Sequence, residues 1–396
     1  MPRLRFLTAG ESHGPALVAT VEGLPAGLEV SRELLAKQLW RRRLGYGRSP
    51  RMDFEVDELR VLGGVRHGRT LGSPVAVVID NTEWPKWVDA MDPEPRDDLD
   101  EIRDTGRGEQ LTRPRPGHAD LVGALKYGYD DVRDALERAS ARETAARVVA
   151  GTLANQLLKA VGVSIVSHVV RIGGEAVPDD AVRPGPGDLD AVDEDPVRCF
   201  DADGSTRMQA RIDRAKDDND TLGGVIEVLA YGLPPGLGSH VHWDRKLDAR
   251  IAGAMMSVQA MKGVEFGLGF KLGDVPGSQA HDEITWSDED GYERATDRAG
   301  GIEAGMTTGQ PLAVRVVMKP LSSLDRPLQT VHIDSHEPDV AITQRSDRCA
   351  VPRAGVVLEA VLAHELADAL LEKVGGDTVD EVRRNLASYR DAIAER

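Results

Sequence analysis

The sequence predicts an α+β fold: a single, internally duplicated domain with sheets flanking central helices. Three observations carry that prediction. Strand-like runs fall at 4–8, 16–22, 53–66 and 74–80, and again at 163–171, 222–231 and 312–318. Helical periodicity is strong at 140–161, where Ala145, Val148, Val149, Leu153 and Leu157 share a face, and helices are expected at 352–373 and 378–394. The two sets also echo each other. A strand, Gly23-Leu-Pro-Ala-Gly27 and a helix recur as a strand, Gly232-Leu-Pro-Pro-Gly236 and a helix, and Leu71-Gly-Ser-Pro-Val-Ala-Val resembles Thr308-Gly-Gln-Pro-Leu-Ala-Val. These echoes are too far apart for a short-period repeat. The expected halves are roughly 1–165 and 166–396, against the alternative that strand–turn–helix units resemble each other by chance.

In chain order, the turn Gly10–Gly14 joins the first two strands, and Ser31 is the expected N-cap of a helix reaching Arg43. Gly68 and Gly72 separate the next strands. Residues 88–112 are acidic and weakly patterned and read as a mobile surface loop. A helix is expected at 119–127. The stretch 177–203, rich in Pro, Gly and Asp, reads as a long excursion. Asp244 is the expected cap of a helix running to Lys262. Near the end, Gly375 and Gly376 stop one helix, and Thr378 with Glu381 spells a capping box for the next.

Composition bounds the function. The chain has 396 residues, 41% hydrophobic and 29% charged, so it can bury a core without staples. No apolar run approaches the ~20 residues of a membrane span, and the first residues lack a signal-peptide core. Cys199 and Cys349 form no CxxC pair, which fits a cytoplasmic protein with reduced thiols. A net charge of −17 argues against nucleic-acid and membrane partners. Yet only ten of the 49 cationic residues are lysines, and Arg41, Arg42, Arg43, Arg48 and Arg51 crowd together. Arginine grips carboxylate and phosphate through paired donors, so an acidic body with basic pockets fits small anionic ligands. The sequence holds no GxxxxGK[ST] loop, no GxGxxG between strand and helix, and no zinc spacing.

Five stretches carry candidate chemistry. His13 lies in Gly10-Glu-Ser-His-Gly14, where the backbone can approach a ligand. His118 follows Arg113 and Arg115 at a helix start that favours anions, although a plain N-cap explains it equally. Arg138, Ser140, Arg142 and Glu143 read either as a site or as a cap with i,i+4 pairing. Asp347, within Gln344-Arg-Ser-Asp-Arg-Cys, is a proton relay or a turn residue. Lys319-Pro-Leu-Ser-Ser323 offers a cation, hydroxyls and amides to a phosphate. Together they indicate a multiply anionic substrate and proton transfer, without naming the reaction.

These stretches, from Gly10-Glu-Ser-His-Gly through Glu137–Val148 to Arg345–Val361, resemble the chorismate synthase family over essentially the whole chain. The resemblance implies a β-α-β sandwich of antiparallel sheets around central helices, with internal pseudo-symmetry, assembled as a homotetramer. It implies the trans-1,4-elimination of phosphate from 5-enolpyruvylshikimate 3-phosphate, with reduced FMN (FMNH2) and no net redox change, in the shikimate pathway. By similarity Arg42, Arg48, Arg51, Arg115, Arg142 and Arg345 surround the substrate, Arg42 and Arg48 being also the positions assigned to NADP. His13 is the general acid at the leaving phosphate, His118 lies by the flavin, and Asp347 relays a proton with Ser12 and Ser140. Flavin contacts fall to Arg138, Ala139, Ser140, Gln259, Ala260, Ala304, Lys319, Pro320, Leu321, Ser322, Ser323 and Arg345. Ala304 stands where the family carries glycine, a departure from its pattern. With no appended reductase domain, reduced flavin is expected from an external NADPH-dependent flavin reductase. The competing classes are an Arg-rich phosphate-eliminating or enolpyruvyl-transferring enzyme without flavin, and a non-catalytic anion- or RNA-binding module.

Overall fold

A computed structural model describes residues 3–47, 57–104, 106–288, 291–343 and 347–395. Its first sheet contains β1 (Arg5–Ala9), β2 (Ala16–Glu22), β3 (Glu58–Gly63) and β4 (Val75–Asp80), in the spatial order β1-β2-β4-β3, all antiparallel. Between β2 and β3 runs helix α1 (Arg32–Arg41), whose N-cap Ser31 accepts a bond from the Leu34 N–H at 3.1 Å. Then come α2 (Asp120–Tyr127), α3 (Arg133–Ala139) and α4 (Thr144–Ala160).

The second sheet has β5 (Ser164–Ile172), β6 (Gly224–Tyr231), β7 (Met261–Phe266) and β8 (Leu312–Met318), in the order β5-β6-β8-β7, again antiparallel. Two residues, Glu175–Ala176, extend its β5 edge. Helix α5 (Ala202–Asp217) lies between β5 and β6, and α6 (Leu247–Met256) between β6 and β7. The chain ends with α7 (Val351–Val374) and α8 (Val379–Ala394), the latter opened by the Thr378–Glu381 capping box.

The core lies between the sheets, where α4 packs on α7. Both helices are buried along most of their length, mainly through apolar and small residues, although α7 also buries Glu359, His364 and Asp368. Gly151 on α4 sits so close to α7 that a Cβ there would come within 2.2 Å of the Ala360 carbonyl oxygen. One contiguous buried cluster joins Leu17 and Val77 of the first sheet to Val149, Leu358, Val228 and Val314. Sheet, helices, sheet is thus the layering, an α+β sandwich.

Several local expectations are corrected. The stretch 88–112 contains a helix, Leu99–Asp104, rather than only loop. Asp244 caps no long helix: it sits in a single turn with its carboxylate 2.8 Å from His242 Nδ1, α6 starts at Leu247, and 261–266 is a strand. Helix α5 follows the 177–203 excursion without having been foreseen; its charged sequence hides a narrow buried stripe of Met208, Ile212 and Ala215. Helix α1 ends at Arg41, two residues before the expected stop. No helix among the described residues is long and apolar enough to cross a membrane.

Candidate active site

A cleft of about 470 Å³ opens where connections from both halves converge. The β1–β2 turn brings Ser12 and His13, and the end of α1 brings Arg42. The α3–α4 junction supplies Ser140 and Arg142, and the segment before α2 supplies Arg115 and His118. From the second half, the residues after α6 contribute Gln259, those after β8 contribute Leu321, Ser322 and Ser323, and Asp347 stands at the approach to α7. These sequence-nominated residues therefore meet, although 335 positions separate Ser12 from Asp347.

Each side chain has a local reason for its placement. Ser140 is extended (φ −62°, ψ 144°), so α3 stops there, and its Oγ accepts from the Arg142 N–H at 3.3 Å. The same hydroxyl donates to Ser12 Oγ at 3.2 Å, so the cap is also part of the cleft. Arg115 and His118 share one buried partner. Asp120, with no exposed surface, binds Arg115 Nε at 2.8 Å and Nη2 at 3.1 Å, and lies in close contact with His118 Nδ1. Burial pushes the Asp120 carboxyl up, but the bonds from His118 and Arg115 outweigh it and hold the group well below the usual carboxylate range. Arg115 Nη1 also donates to Ser323 Oγ at 2.9 Å, tying this segment to the second half. Arg42 is buried and donates to Thr144 Oγ1 at 3.0 Å and the Ala141 carbonyl at 3.2 Å. Arg142 pairs with Asp57 at 2.6 Å, and Asp347 pairs with Arg353.

One wall is apolar, formed by Val258, Met261, Met318, Leu321, Ala354 and Val357. At its rim Gln259 donates to Glu143 at 3.1 Å, while its buried Oε1 has no partner among the described residues. An apolar wall, an unmatched buried acceptor and the Ser322–Ser323 hydroxyls suit a flat heteroaromatic ring carrying N–H donors.

Other nominated residues lie outside the lining. Arg138 donates to the Thr8 and Gly10 carbonyls at 2.9 and 3.0 Å, locking α3 to β1, and Ala139 ends that helix. Ala260 follows Gln259 with φ +69°, and Pro320 adjoins the lining at Leu321. Lys319 contacts the Gly117 carbonyl; burial, with the charge of Lys262, pushes its amine down. Ala304 occupies a hairpin tip between Ile302–Glu303 and Met306–Thr307 and is not among the cleft residues. Arg48, Arg51 and Arg345 lie outside the described residues. Sequence reasoning passed over Trp87, Asn81, Glu137 and Asp120. Asp120 had a signal, two positions after a nominated histidine; Trp87 had none.

A model of the family described as chorismate synthase matches residues 4–371. The chorismate synthase of Salinispora tropica is 61% identical over 394 residues, covering 99% of this chain and 100% of its own. That of Streptomyces coelicolor is 59% identical, covering 99% of both chains. The chain belongs to the chorismate synthase family. A solved structure, "Crystal Structure of Chorismate Synthase", superposes with a TM-score of 0.78 at 40% identity, covering 99% of each chain. The shared frame of chorismate synthases therefore extends over both sheets and the helices between them, and this chain is an enzyme of that family.

Proposed function

We propose that this chain forms chorismate from 5-enolpyruvylshikimate 3-phosphate by 1,4-elimination, as the lyase that closes the shared part of aromatic amino acid biosynthesis. The carbon–oxygen bond to the phosphate and a ring carbon–hydrogen bond both break, a second double bond forms in the ring, and chorismate and inorganic phosphate leave. The observation that carries this reading is the convergence of Arg42, Arg115, Arg142, His13 and His118 on one cleft beside an apolar wall. The substrate bears two carboxylates and a phosphate, and fixed guanidiniums stabilise charge without reorganising during reaction.

Reduced FMN is the proposed cofactor, held by Gln259, Leu321, Ser322 and Ser323 along the apolar wall. The chemistry it supplies when bound is transient electron donation, returned by the end of turnover. The chain's own groups do the rest. The arginines hold the anionic substrate, with Arg48, Arg51 and Arg345 assigned to the same task. His13 gives a proton to the departing phosphate. His118, oriented by Asp120, holds a proton at the flavin side. Ser12 and Ser140, already bonded to each other, form with Asp347 a path for the proton lost from the ring. We assign flavin reduction to an external NADPH-dependent reductase, and the assembly to a homotetramer in the cytoplasm, as the family resemblance implies.

The test is anaerobic: purified chain, chemically reduced FMN and 5-enolpyruvylshikimate 3-phosphate, with phosphate and chorismate followed together. Equal yields of both, with catalytic flavin ending reduced, are expected. Folded protein that releases neither product overturns the assignment. NADPH with flavin and the purified chain alone is expected to leave the flavin oxidised.

A further inference from the structure

The His13 ring is held from two sides by residues with no assigned role. Glu137, 2% exposed on α3, accepts the His13 backbone N–H at 2.8 Å through Oε2. The same carboxylate meets His13 Nδ1 at 2.8 and 3.1 Å, while its own main-chain carbonyl accepts the Ser12 N–H at 3.2 Å. A carboxylate only accepts, so Nδ1 must carry its hydrogen, and Nε2 is the nitrogen left for exchange in the cleft. Trp87 stacks on the other surface of the ring, centroids 3.9 Å apart and planes 25° from parallel. Trp87 is in turn held by two guanidiniums, Arg107 at 5.7 Å and Arg133 at 5.9 Å from its centroid.

We propose that Glu137 and Trp87 are positioning residues for His13: Glu137 fixes its tautomer and the turn that carries it, and Trp87 fixes the plane of its ring. The inference rests on the reading of His13 as the proton donor. It also gives the stretch beyond β4 a task, since the segment that supplies Trp87 and Arg107 is a backing for the acid. A turn bounded by Gly10 and Gly14 has little rigidity of its own. An acid must nevertheless be held to within a fraction of an ångström to transfer its proton efficiently.

A double-mutant cycle combined with fluorescence tests this. Glu137→Gln is expected to lower kcat about 10–100-fold with KM within about threefold, the scale of losing the hydrogen-bond partner that orients a metal-bound histidine. In a His13→Ala background it should cost nothing further. Trp87→Ala should lower kcat about tenfold, while Trp87→Phe, which keeps a stacking ring, should recover most of it. Independently of activity, Trp87 emission, obtained by subtracting the Trp87→Phe spectrum, should change in Glu137→Gln as it does in His13→Ala. An equal loss from Glu137→Gln on both backgrounds, or an unchanged kcat, overturns the proposal. Trp87 emission that His13→Ala alters and Glu137→Gln does not also overturns it. A wild type that makes no chorismate overturns the functional reading instead, and the emission comparison then decides the positioning role alone.

Discussion

The two halves tie the same knot with different residues around it. In the first, Thr70 Oγ1 donates to the Pro25 carbonyl at 2.6 Å and accepts the Leu28 N–H at 2.9 Å. In the second, Thr307 Oγ1 donates to the Pro234 carbonyl at 2.7 Å and accepts the Leu237 N–H at 2.9 Å. Backbone bonds repeat as well: Gly27 to Thr70 and Gly236 to Thr307, at 2.9 and 2.8 Å. With the matching strand orders, this supports our inference that residues roughly 1–165 and 166–396 are copies of one unit. The connections differ. The β1–β2 link is a short turn bearing Ser12 and His13, and Leu7 beside it is 77% exposed. The β5–β6 link runs through α5, and its excursion lays Val192 over Val166, Leu229 and Ala313 on the far side of the second sheet. Similar bonds hold both sheets' turns, while the β1–β2 link lines the cleft and the β5–β6 link covers a sheet face.

The largest expected effect breaks the chemistry. His13→Ala or His118→Ala should cost about 10²–10⁴ in rate, some 3–5 kcal/mol, measured on folded protein. Wild-type turnover in either variant would remove that residue from the mechanism.

The next effect concerns stability, at a buried charge cluster on α7 that the end of α1 completes. Glu359 of α7 is buried between Arg41 and Arg198, with Arg41 Nη1 at 2.7 Å and Arg198 Nη2 at 3.0 Å; α4 has no counterpart at its centre. Burial pushes this carboxyl up, but the two arginines outweigh it and bring it from 4.5 down to about 2. The stabilisation is therefore full above the unfolded pKa and is lost as pH falls from about 4.5 toward 2, about 3 kcal/mol in all. Glu359→Gln should lose a similar amount at neutral pH and flatten the acid limb of denaturant-derived stability against pH. An acid limb as steep as the wild type's would assign that dependence to other carboxylates.

A matched pair tests the comparison itself. Thr70→Val and Thr307→Val each strand a buried N–H and a carbonyl, which should cost about 2–4 kcal/mol by urea unfolding. The two values should agree within about 1 kcal/mol. A clearly larger gap would mean that the knots resemble each other in geometry without equal mechanical roles.

Legibility followed the same division. The likeness of two turns was legible because Gly23-Leu-Pro-Ala-Gly27 and Gly232-Leu-Pro-Pro-Gly236 both end on a glycine with positive φ, 94° at Gly27 and 83° at Gly236. Helix α4 was readable from its apolar period and α8 from its capping box. Helix α5 was not, because its stripe is narrow among charges, and β7, lying mostly half-buried, had no clean alternation. In the site, the histidines and arginines could be nominated from their type and spacing. Their holders could not. Glu137 looks like an ordinary helical acid, and Trp87 reaches His13 only because β4 returns the chain beside β2.

The smallest effect is confined to two hairpin tips. His67 and Gly68 lie between Arg66 and Arg69, and Ala304 and Gly305 lie between Glu303 and Met306. All four central residues have positive φ: 50° and 74° in the first hairpin, 50° and 84° in the second. That is the type I′ arrangement, which matches the twist of the flanking strands but asks both residues to be left-handed. Alanine pays about 1–2 kcal/mol for that conformation, and glycine avoids the clash while losing about 0.5–1 kcal/mol more backbone entropy on folding. Ala304→Gly should therefore stabilise the chain by about 0.5–1 kcal/mol. His67→Gly should gain less, because histidine tolerates the left-handed region better than most side chains. Turn geometry alone therefore favours glycine over alanine at position 304, the residue that the family resemblance leads us to expect there. If Ala304→Gly instead changes flavin affinity without changing stability, the hairpin tip touches the cofactor and the two halves differ there in function.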